Sequence, residues 1–166
     1  MTPTAPLVPC VGCQALVPDL PELCGPAHTY LGTSPGCWQV YGEVSARALP
    51  TMTIRGLLTD TYMVQHPGTP SRQSIQSVAR HLLGLYWALE RGQSFEHAVQ
   101  VMRRAPADQF RWLDPPGTWP FTVVDLAAAS DQDVLVEQIR HWAQVTWEAW
   151  HPHHQTIRQW AEHSFG

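Results

Sequence analysis

The chain has 166 residues, 44 % of them hydrophobic and 14 % charged, with a net charge of −4. That apolar share excludes an intrinsically disordered chain, which would show the reverse balance. All ten basic residues are Arg, which excludes Schiff-base lysine chemistry and a P-loop cation, and their scatter leaves no basic stripe for nucleic acid.

From the N-terminus, Met1 to Ala5 carries no basic or apolar leader pattern. The expected compartment is therefore the cytoplasm, where thiols stay reduced. No apolar run nears about 18 residues, so no membrane span is expected. Residues 1–33 hold six prolines and three glycines and read as an irregular segment. Within it, Cys10-Val11-Gly12-Cys13 is a Cys-x2-Cys pair. Two thiolates at this spacing reach one metal ion from a tight turn, and Gly12 keeps that turn uncrowded. A Pro-rich segment that packs poorly gains a crosslink from such an ion. Two disulfides are the alternative for an exported chain, and without an export signal metal is favoured.

Ser34-Pro35 predicts a helix start, with Ser as N-cap and Pro at the first helical position. That helix should run to about Ala48, placing Cys37 in its first turn. There the helix dipole favours a thiolate. A second helix is expected over Thr53–Gln65, ending before His66-Pro67-Gly68, and a third over Ser74–Arg91, stopped by Gly92. His81 borders the apolar stripe of the third helix. Ser94 opens a fourth. Residues 105–121, with four prolines, Trp112 and Trp119, read as a long ordered loop over the core. Thr122-x-x-Asp125 and Ser130-x-x-Asp133 predict two more helix starts, and the last helix restarts at Pro152. No segment alternates with period two for long. The expected fold is all-α, a single domain over 1–166 with five to six helices and a metal-stapled N-terminal segment.

Two sites follow. The first is a zinc site from Cys10, Cys13 and Cys37, with His28 or Cys24 in the fourth place and His28 taken as the ligand. The second is a histidine cluster of His66, His81 and His153 or His154, with His154 taken as the member, and with Asp60, or Glu43, as a carboxylate. Inward histidines on separate helices can hold a second metal or move protons for a small molecule. His97, His141, His151 and His163 read as surface residues, and the tryptophans as core, with a pocket wall as the alternative for Trp112 and Trp119.

Cys10-x2-Cys13, His28 through Cys37-Trp38, Tyr41-Gly42-Glu43-Val44, Asp60-x-Tyr62 through Gln65-His66-Pro67-Gly68, Ser74 through His81-Leu82 and Trp150-His-Pro-His-His154 occur in order over nearly the whole chain. Together they resemble a bacterial family of unknown function. The resemblance implies Cys37 rather than Cys24 as the third cysteine, and a His before the Asp-x-Tyr motif where this chain has Arg55. A weaker architectural analogy is to DinB-like bundles, which hold a metal with three histidines. The leading expectation is a small metal-dependent enzyme acting through the histidines. The alternative is a non-catalytic zinc-stabilised module, and redox sensing by Cys10-Cys13 comes third.

Overall fold

The computed structural model describes residues 5–164 apart from Cys24, Ala27 and Ala48. Seven α-helices stand among these residues: α1 (Pro35–Ser45), α2 (Met52–Gln65), α3 (Arg72–Leu89), α4 (Phe95–Arg104), α5 (Val123–Ala127), α6 (Gln132–Ala149) and α7 (His154–His163). The fold is mostly α, as the periodicity predicts. The seventh helix arises at Pro152, where a 3-10 turn over His151–His153 breaks the last long helix in two. One expectation is corrected near the N-terminus. That segment is not wholly irregular, because β1 (Leu7–Pro9) and β2 (Leu16–Pro18) pair as an antiparallel hairpin.

The helix starts follow from local chemistry. Thr51 accepts a hydrogen bond from the Ile54 amide at 3.2 Å and opens α2. Ser71 and Ser74 cap α3 reciprocally, which begins it two residues before the expected Ser74. Asp125 accepts from the Thr122 amide at 2.7 Å at the start of α5. At α6 the cap is Asp131, which accepts from Val134, and not Ser130. The carboxylate wins because it is charged and meets the positive helix end. Helix α1 stops at Ser45, short of the expected Ala48.

Helix α2 lies at the centre, packed along α3 on one side and α6 on the other. Helix α1 packs on α5, and α4 and α7 both pack on α3. Tyr62, Leu58, Leu82, Leu85, Ile139 and Trp142 are fully buried where these helices meet. Each such aliphatic side chain contributes roughly 1.5–3 kcal/mol by burial. Gln65 adds a buried polar link, its amide donating to the Phe121 carbonyl and the Thr146 hydroxyl at 2.9 Å each. The 105–121 loop lies over the core through buried Phe110 and Leu113. His153 Nε2 donates to the Asp114 carbonyl at 2.8 Å and ties that loop to the 3-10 turn.

Candidate metal centre

The hairpin places the first two sulfurs. Between β1 and β2 the chain turns back on itself: the Cys10 amide donates to the Ala15 carbonyl at 2.8 Å, and the Gln14 amide to the Cys10 carbonyl at 3.0 Å. Gln14 takes φ +64° to close the turn. Ser34 then joins the turn to α1. Its hydroxyl does not cap its own helix but accepts from the Val11 amide at 3.0 Å. Its amide donates to Cys10 Sγ at 3.5 Å. Gly12 sits where no side chain fits: a Cβ there would collide with the Gly32 carbonyl and stand 2.6 Å from His66 Cδ2.

Cys37 arrives from the first turn of α1, and its Sγ lies 3.9 Å from Cys13 Sγ. His66 arrives from the C-terminal end of α2, with Nε2 at 3.4 Å from Cys37 Sγ. Its Nδ1 lies 2.7 Å from the Tyr62 carbonyl. A carbonyl only accepts, so Nδ1 carries a proton and Nε2 is the ring atom that faces the sulfurs. Cys10, Cys13, Cys37 and His66 thus place four donor atoms within 4.8 Å of one another, all buried, and form a group that can hold a metal ion. The surrounding hydroxyls are ordered too. Tyr62 OH donates to Cys37 Sγ at 3.6 Å and lies 2.6 Å from Thr33 Oγ1.

The four donors perturb one another strongly. Hydrogen bonds from Cys13 and Cys37 hold the Cys10 thiol far below its ordinary range. Its own thiolate then pushes Cys13 far up, with Cys37 and burial adding to the effect. Burial alone would lower His66, but Cys10 and Cys37 outweigh it and carry the ring up to about 9. Three sulfurs this close cannot all be thiolates without a positive charge between them.

The fourth place is a correction. His28 is exposed and stacks on Tyr30, while His66 stands in the group with the three cysteines. Cys24 lies outside the described residues. The structure does not bring His66, His81 and His154 together. His81 pairs with Asp60, Nδ1 to Oδ1 at 2.7 Å. His154 is buried flat against Trp147, ring centroids 4.0 Å apart, with Nε2 donating to the Trp147 carbonyl at 2.9 Å. Among the described residues, Cys10, Cys13, Cys37 and His66 are the one group of three or more metal-ligating side chains. Trp119 does line a hollow beside the hairpin turn, with Gly12, Gln65 and Pro67. Arg55, where the resemblance implies a His, lines another with Asp60 and His81. No helix among the described residues is long and apolar enough to cross a membrane.

The chain belongs to a family of unknown function (DUF5946), whose model matches residues 8–151. The match takes in the four residues of the metal group and the Asp60–His81 pair. No curated protein and no solved structure matches the chain.

Proposed function

We propose that the protein is a zinc-stabilised helical module, in which Cys10, Cys13, Cys37 and His66 hold one Zn2+ in a closed structural centre. The observation that carries this reading is the convergence of four buried donors from the hairpin, α1 and α2. Soft thiolates with one imidazole suit zinc. Tetrahedral zinc separates two sulfurs by about 3.8 Å and a sulfur from a nitrogen by about 3.5 Å, given its usual bond lengths. The Cys13–Cys37 distance of 3.9 Å and the Cys37–His66 distance of 3.4 Å fit that frame. Four protein donors also leave no open position for water or substrate, which is the mark of a structural site.

Elemental analysis of protein purified without a metal-affinity tag tests this. The expected result is one zinc per chain, lost in Cys37→Ser and His66→Gln together with a large drop in melting temperature. Full zinc retention in both variants rejects the centre. A second reading, an enzyme acting on a small molecule through a histidine, is favoured by the one predicted histidine that keeps a carboxylate partner and an open face. His81 pairs with buried Asp60 while its side chain stays 26 % exposed. A turnover screen abolished by His81→Ala would support that reading.

A further inference from the structure

The Asp60–His81 pair stands apart from the metal group and borders a cleft of its own. His81, Val99 and Met102 line two adjoining hollows of about 360 and 410 Å³, the first between α3 and α4 and the second between α2, α3 and α4. Such volumes suit a small organic molecule. Asp60 is held beneath His81 by a fitted packing. A Cβ at Gly84, on the same helix as His81, would overlap the Asp60 carboxylate, so the bare glycine makes the space for it. Nδ1 of His81 is committed to Asp60 at 2.7 Å, which fixes the ring and leaves Nε2 to the cleft.

The charges around that imidazole are one-sided. Arg80 and Arg103 line the first hollow and Arg55 the second, and none of the three side chains has a hydrogen bond or ion pair among the described residues. Among the described residues Asp60 is the one carboxylate that lines either hollow, and it faces His81. Guanidinium groups with no protein partner are bidentate donors for carboxylate or phosphate. Val99 and Met102 give the same cleft an apolar wall. We propose that this cleft binds a small organic oxyanion, with Arg80 and Arg103 on the anionic group, Val99 and Met102 against its apolar body, and His81 Nε2 in contact with it. Asp60 acts as a positioning residue for His81.

The site does not use the zinc-type centre, so the two readings fail separately. Phenyl phosphate and benzoate are the probes, titrated into the full-length protein and followed by amide chemical shifts, with benzyl alcohol as the uncharged control. Saturable shifts confined to α3 and α4 are expected from at least one anion and not from the alcohol, and the better probe tells phosphate from carboxylate. Arg80→Gln with Arg103→Gln should weaken that probe about tenfold or more, the equivalent of one charge-assisted hydrogen bond. Arg140→Gln, on exposed α6 surface, should leave it unchanged. Zinc content and melting temperature should stay as in the parent chain, since both cleft arginines are exposed. Asp60→Asn should weaken the probe less than His81→Gln does. No saturable binding of either anion at about 10 mM, where a 1 mM site would be about nine-tenths filled, overturns the proposal. So does equal loss in Arg140→Gln, which would make the attraction diffuse.

Discussion

At the scale of single residues, the metal group depends on side chains that are small or fixed as much as on its donors. Gly12 lets the hairpin turn lie against Gly32 and His66. Gly12→Ala should therefore cost about 1–3 kcal/mol by overpacking, read as a lower urea midpoint, and should loosen the metal in a chelator competition. Unchanged values for both would mean that the turn shifts freely. The three cysteines of this group were legible in the sequence because their chemistry is local: a Cys-x2-Cys pair and a cysteine one turn into a capped helix. The sequence marks His66 as a functional histidine but groups it with His81 and His154. Its position depends on where α2 ends and how α2 crosses α1, which no spacing encodes. The signal available was Pro67, which fixes the end of α2 beside it. His28 is nearer to the cysteines in sequence, but a residue stacked on Tyr30 at the surface cannot reach them.

At the scale of elements, the helices were legible from caps and periodicity, and the errors lie where two signals competed. Ser130 and Asp131 stand side by side, and the structure caps α6 with the charged one. Asp131→Ala should cost about 1 kcal/mol, measured by urea unfolding, whereas Ser130→Ala should change little. Equal effects would mean that the two residues share the cap. The hairpin leaves no such signal in the sequence. Leu7-Val8-Pro9 and Leu16-Val17-Pro18 are three-residue strands ended by proline, too short to show alternation. Val17 is buried while Leu7 and Leu16 are exposed, so burial there follows the turn and the cysteine group more than any hydrophobic pattern. Ser34 shows how an element can serve another. Its backbone starts α1 while its hydroxyl closes the cysteine turn.

At the scale of the whole molecule, one polar junction ties the C-terminal helices to the centre. Arg158 on α7 grips Glu90, just past α3, through contacts of 2.6 and 3.0 Å, and Trp147 on α6 donates to the same carboxylate at 3.3 Å. The Arg158 guanidinium, ahead of opposing burial, holds Glu90 below its ordinary value of 4.5. A depressed carboxyl stabilises the fold above its unfolded pKa, and that contribution is lost as pH falls through the lower folded value. Glu90→Gln should thus be less stable than the parent chain near neutrality, by about 0.2–1 kcal/mol for a solvent-facing pair. The two melting temperatures should converge as pH drops below the ordinary carboxylate range. A gap that persists unchanged into acid would assign the loss to packing around Trp147 rather than to charge.

The order of the donors along the chain has a consequence for protein synthesis. All four lie within the first 66 residues, whereas α6, which covers the far side of α2, begins at Gln132. As the polypeptide leaves the ribosome, the complete ligand set is present while α2 still lacks half of its cover. An ion captured at that moment would clasp the hairpin, α1 and the end of α2 before the later helices are made. Without it, the nascent chain must hold an apolar helix in water until Gln132 and the residues after it arrive.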